Sequence, residues 1–95
     1  MKVETFEIDI PDADLTELRE RLTATRWPGP ALSAAWENGS DLSFMQRLAA
    51  HWRDGFDWRA QERRLNALPQ FMAALDGQDI HFVHARGEGS SPMPL

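Results

Sequence analysis

The sequence contains no cysteine. Disulfides, thiolate metal sites and cysteine nucleophiles are therefore excluded. Tyrosine is absent as well. Basic residues are in short supply, with ten Lys plus Arg against fifteen Asp plus Glu and a formal charge of −5. Nucleic acid and anionic membrane surfaces reward a basic patch, so neither is expected as a partner. No stretch approaches the roughly 18–20 apolar residues that a spanning helix needs. The opening MKVETFEIDI lacks the apolar centre of a signal peptide. A cytoplasmic protein is the expectation.

Tryptophan, by contrast, occurs four times, at Trp27, Trp36, Trp52 and Trp58. Each brings about 150–250 Å² of surface to hide. A domain of this length buries only about 60–65% of its unfolded surface. Some of the four are therefore expected to face a partner.

The hydrophobic period changes along the chain. Phe6, Ile8 and Ile10 alternate with Glu7 and Asp9, the pattern of a half-buried strand or extended arm that Pro11 ends. Asp12 or Asp14 is placed to cap a helix carrying Leu15, Leu18 and Leu22. Pro28, Gly29 and Pro30 then force a turn or loop. A second helix is predicted from Ser40 or Asp41, with an apolar stripe of Leu42, Met45, Leu48, Ala49 and Trp52, ending at Gly55. Asp57 is placed to cap a third, about Trp58 to Leu68, with Trp58 and Leu65 on its buried side.

After Pro69 the pattern becomes extended. FMAALDGQDIHFVHAR reads as two strands joined at Asp76-Gly77, a turn that needs positive φ. GEGSSP is a flexible link, and MPL reads as the start of another strand. A lone hairpin is marginal in water and its edges invite pairing, so a larger sheet is expected around it.

No residue pattern supports catalysis. His81 and His84 are three apart on a strand, which points them to opposite faces, and His51 has no ligand partner one turn away. None of the serines sits in a GxSxG elbow, and GEG at 87–89 lacks the lysine and remaining glycines of a phosphate loop. Asp57 and Asp76 are explained by a cap and a turn. The charged run FDWRAQERRLN reads as an amphipathic helix, with Arg59, Glu62 and Arg63 solvating or tying it down. Taken alone, the residues describe an interaction module.

As a string, the chain resembles the N-terminal region of microsomal-type epoxide hydrolases, with a soluble bacterial-type member the better comparison. The resemblance rests on LRERL with TRWP (Leu18 to Pro28), FDWRAQERRLN (Phe56 to Asn66) and DGQDIHFVH (Asp76 to His84), in order and suitably spaced. Only about five residues precede Phe6, so the membrane anchor of the microsomal enzymes is not expected.

The resemblance implies an α+β fragment: an N-terminal extended arm, about three helices, and a β-hairpin that would begin the sheet of an α/β-hydrolase core. Residues 1–69 would be the helical N-terminal region, and 70–95 the hairpin and the start of the next strand. The partner implied is the core and lid of the same protein, with homo-oligomer contacts as a further expectation. The family's reaction opens an epoxide with water to a vicinal diol through an aspartate ester, without metal or organic cofactor. None of its catalytic positions maps onto this sequence, and a chain without tyrosine cannot present the family's lid tyrosine pair. The expected site residues are therefore packing residues at a domain junction: Trp27, Trp36, Trp52, Phe56, Trp58, Leu65 and Phe71. Two alternatives are an arm on a hydrolase of different chemistry and a stand-alone helical interaction module.

Overall fold

A computed structural model describes residues 1–29 and 36–94. Pro30 of the expected turn and Leu95 of the expected last strand lie outside the described residues. In chain order the elements are β1 (Lys2–Thr5), α1 (Asp12–Thr23), α2 (Leu42–Asp54), α3 (Trp58–Asn66), β2 (Gln70–Leu75) and β3 (Gln78–Val83). They group into two compact units, one of Met1–Asp9 with the chain from Trp58 onward, the other of Ile10–Asp57.

The first unit is built on an antiparallel sheet in the order β1-β2-β3. The expected hairpin is present, with Leu75 opposite Gln78. Asp76 and Gly77 take φ values of 49° and 78°, the left-handed pair a two-residue turn requires. The third strand differs from expectation. Of the two readings for Phe6 to Ile10, strand or extended arm, the arm is found, with Ile8 and Ile10 half-buried, while the strand itself is Lys2–Thr5 and pairs Val3 with Ala73. Lys2 and Glu4 mask its alternation, and their ion pair at 2.8 Å lies on the polar side of an edge strand. Phe6 adds one more ladder bond, its N–H donating to the Gln70 carbonyl at 2.9 Å.

Side chains alternate across a sheet, so the register sorts the strands into two faces. One carries Val3, Phe71, Ala73, Leu75, Ile80 and Phe82, with Thr5 and Gln78 at its ends. Ala73, in the middle, is 6% exposed, and it is the one buried apolar residue among those described. Its larger neighbours shade it but are not themselves covered: Val3, Leu75 and Ile80 are each about half exposed.

The second unit pairs α1 with α2. Leu15, Leu18 and Leu22 are the half-buried residues of α1, as their spacing predicts. Its cap is not the expected aspartate. Pro11 holds that position in an extended conformation, and Asp12 and Asp14 fall in the first turn. Proline loses nothing there, because the N–H it lacks would have no helical partner, and the two carboxylates suit the positive end of the helix dipole. On α2 the cap is Asp41, whose carboxylate accepts from the Phe44 N–H at 2.9 Å. The predicted stripe divides: Leu42, Met45 and Ala49 are half-buried, but Leu48 and Trp52 are exposed. Gly55 ends the helix as expected, and a Cβ there would meet the His51 ring at 2.8 Å.

Candidate functional site

The third helix stops at Asn66, before the expected Leu68. Its last turn is closed by the Leu68 N–H donating to the Leu65 carbonyl at 3.1 Å. Leu65, expected on the buried side, is exposed. The buried position is Glu62, 7% exposed. Its carboxylate accepts from the Trp58 indole N–H at 3.2 Å and from Arg59 Nη1 at 2.7 Å. A carboxylate out of water must be paired and hydrogen-bonded, and one turn of helix supplies both partners. Burial therefore follows a polar residue here because its neighbours at i−4 and i−3 neutralise it.

The other polar cluster links α3, the arm and the sheet. Asn66 Nδ2 donates to the Ile8 carbonyl at 2.8 Å, and the Ile8 N–H donates to Asn66 Oδ1 at 2.8 Å. The side-chain amide thus stands in for a paired strand, which is why residues beyond Phe6 stay extended without a ladder. Gln70, 5% exposed, continues the chain of bonds. Its Nε2 donates to the Leu65 carbonyl at 2.8 Å and to Asn66 Oδ1 at 3.2 Å. A carbonyl only accepts, so the Gln70 amide has one orientation and its Oε1 faces His81 Nε2 at 2.9 Å. His81 must donate from Nε2, which assigns its tautomer. The Phe6 ring meets the His81 ring edge to face, 5.3 Å between centroids.

This clasp holds no nucleophile and no acid–base pair. Among the described residues, no three His, Asp or Glu side chains could hold a metal ion. No helix among them is long and apolar enough to cross a membrane. What the arrangement does chemically is fix backbone position. Asn66 and Gln70 carry no mark of this role in the sequence, since a buried amide has the same letter as a solvated one. The available signal was weak: a glutamine opening a strand directly after Pro69.

The expected packing residues lie on both units. Trp27 follows α1 and is exposed, as are Trp36, Trp52 and Phe56. Trp36 takes a left-handed φ of 67°, and its ring lies 5.1 Å from that of Phe44. Bulky side chains avoid this region, so the ring contact accompanies a locally strained backbone. Phe56 donates its N–H to the His51 carbonyl at 2.9 Å. Trp58 is half-buried against Glu62, and Phe71 is half-buried with its ring stacked on Phe82 at 5.5 Å. Leu65, like Trp52, departs from its predicted face; for Leu65 the reason is that Glu62 and Asn66 take the inward positions of so short a helix.

The chain as a whole is similar to known proteins. The family model described as Epoxide hydrolase N terminus matches residues 3–95. A provisionally named epoxide hydrolase of Stigmatella aurantiaca (strain DW4/3-1) is 41% identical over 90 residues, 95% of this chain and 20% of that protein. Epoxide hydrolase 1 of Oryctolagus cuniculus is 28% identical over 97 residues, 98% of this chain and 21% of that protein. Among solved structures, the Aspergillus niger epoxide hydrolase superposes with a TM-score of 0.79 at 28% identity, over 87% of this chain and 22% of that one. The chain spans about a fifth of the length of the curated relatives it matches.

Proposed function

Because this chain belongs to the epoxide hydrolase N-terminal family, we propose that it is the accessory packing domain of a longer, cytoplasmic epoxide hydrolase. The longer protein converts an epoxide and water to a vicinal diol through an aspartate ester. This region supplies none of the reacting groups. Its task is to cover and brace an α/β-hydrolase core and lid through Trp27, Trp36, Trp52, Phe56, Trp58, Leu65 and Phe71, with residues 70–95 beginning the core's sheet and β1 added beside it.

One observation carries this reading: an apolar sheet face on which only Ala73 is buried while Val3, Leu75 and Ile80 stay half exposed. Covering the remaining half of each such side chain is worth about 0.7–1.5 kcal/mol, half the value of full burial, so a partner surface is favoured there. The β3 edge suits extension, since Ile80, His81, Phe82 and Val83 carry none of the lysine, glutamate or proline that blunts edges. Charged Lys2 and Glu4 make the β1 edge the poorer one.

The test compares the 95-residue chain with the longer polypeptide containing it, each supplied with an aryl epoxide and assayed for diol. The reading predicts turnover by the longer polypeptide and none by the chain alone. Diol formation by the chain alone, or none by either, would reject it.

A further inference from the structure

The ladder that β1 makes with β2 decides which of its backbone groups face outward. The Phe6 N–H donates to the Gln70 carbonyl, so those two residues form a hydrogen-bonded pair. Such pairs recur every second residue, which makes Glu4 with Met72 and Lys2 with Ala74 hydrogen-bonded pairs too. The N–H and C=O groups of Val3 and Thr5 therefore point away from β2. With the strands in the order β1-β2-β3, no described strand lies beyond them. All of β1 is exposed, the Lys2 and Glu4 side chains by 77% and 63%.

An antiparallel partner must set its own outward residues opposite Val3 and Thr5. For a second copy of this strand, the registers nearest the centre are those about Lys2, Val3 and Glu4. Pairing about Lys2 or about Glu4 sets a residue opposite its own twin, with like charges face to face, which is destabilising. Pairing about Val3 sets Lys2 of each copy opposite Glu4 of the other. These charged pairs then fall at non-hydrogen-bonded sites, where side chains come closest, with Cα atoms about 4.5 Å apart. The two Val3 residues exchange both backbone bonds across the twofold axis, and their side chains share the apolar face.

We propose that β1 is a self-recognition edge, at which two copies of the protein pair antiparallel about Val3 and join their sheets, held in register by reciprocal Lys2 and Glu4 contacts. The proposal rests on reading the chain as one domain of a longer protein whose core extends the sheet from β3, leaving β1 outermost. The alternating charge that blunts this edge toward other strands is self-complementary in this one register. The contact is isologous, so it closes at two copies. A seam of four residues a side falls short of the roughly 1,200 Å² that stable interfaces bury, so the association depends on concentration.

The test makes Lys2→Glu and Glu4→Lys, singly and together, in the longer polypeptide, and follows association by sedimentation velocity over a concentration series. Both side chains are exposed, so the reversals leave folding intact. Each single reversal turns both cross-strand contacts into like-charge pairs and should weaken self-association roughly tenfold or more. The double exchange should recover the parent behaviour. An equimolar mixture of the two single variants should do the same, because each supplies the charge the other lacks. Register is read with Val3→Cys, which should give a disulfide joining position 3 to position 3, identified by peptide mass spectrometry. Thr5→Cys should not link to itself, because its twin lies beyond the roughly 7 Å that a disulfide spans.

A longer polypeptide that stays monomeric at every concentration would overturn the proposal. So would a dimer indifferent to both reversals, a mixture no tighter than its components, or self-linkage at position 5 in place of 3. Association confined to the 95-residue chain would assign it to the uncovered β3 edge and overturn it as well. Diol formation is scored separately. A dimer held by β1 that opens no epoxide upholds this edge and rejects the proposed reaction, whereas turnover by a strict monomer rejects the edge alone.

Discussion

The side-chain amide of Asn66 holds both backbone groups of Ile8, fifty-eight positions earlier, through a reciprocal pair of 2.8 Å hydrogen bonds. An amide sets a donor and an acceptor side by side, and that of glutamine would lie one methylene farther from the backbone. Aspartate can accept from Ile8 but cannot donate to it. Asn66→Asp should therefore destabilise the first unit by about 1–3 kcal/mol, the range for a part-buried carbonyl left unpaired. Urea melts check the size. Hydrogen exchange should show the loss concentrated at Ile8 and Phe6.

Gln70→Glu tests the amide orientation. A carboxylate there would set an oxygen against the Leu65 carbonyl and Asn66 Oδ1, where Nε2 now donates to both. Only the protonated acid restores a donor, so the folded state should raise the new carboxyl's pKa above its unfolded value. The unfolded chain then binds fewer protons in that window, and stability falls as pH rises through it. Melts at several pH values should show the variant closest to the parent in acid. A uniform loss at every pH would contradict the assigned orientation.

Asp41→Ala removes the α2 cap, freeing the Phe44 N–H that Asp41 now accepts from at 2.9 Å. The expected cost is about 1 kcal/mol. Asp41→Asn or Asp41→Ser should recover most of it, since either offers an acceptor oxygen at the same place. Thermal melts of the three variants separate a capping role from a charge effect.

At the other end of α2 the Arg53 guanidinium grips the Asp54 carboxylate at 2.7 Å. That hydrogen bond holds the Asp54 carboxyl below its ordinary value against desolvation, with the attraction of the Arg53 charge a lesser help. A carboxylate whose folded pKa is depressed contributes stability above its unfolded pKa and loses it as pH falls through the folded one. The pair is solvent-exposed, so the contribution to melting should be small. The clear readout is the Asp54 carboxyl titration by NMR, which Arg53→Gln should move upward.

Local features were the legible part. The Asp76-Gly77 turn, the Leu15, Leu18 and Leu22 face and the stop at Gly55 each follow from short-range chemistry, and each is found. The β1 strand was not legible, because an edge strand with one apolar residue between Lys2 and Glu4 has no readable alternation. The clasp was hidden for another reason. Whether Gln70 and Glu62 are buried depends on partners brought up by the tertiary fold or by the preceding helical turn, and composition does not encode that satisfaction. An excess of tryptophan in a short chain predicts residues that face a partner, and Trp27, Trp36 and Trp52 are exposed on this chain.

The most direct test of the central claim is backbone hydrogen exchange across Gln78–Val83, compared between the 95-residue chain and the longer polypeptide. If this domain braces a hydrolase core, the outward-facing amides of β3 should exchange freely in the chain alone and become strongly protected in the longer protein. Equal, rapid exchange in both would contradict the account, leaving the sheet edge and its apolar face without the partner assigned to them.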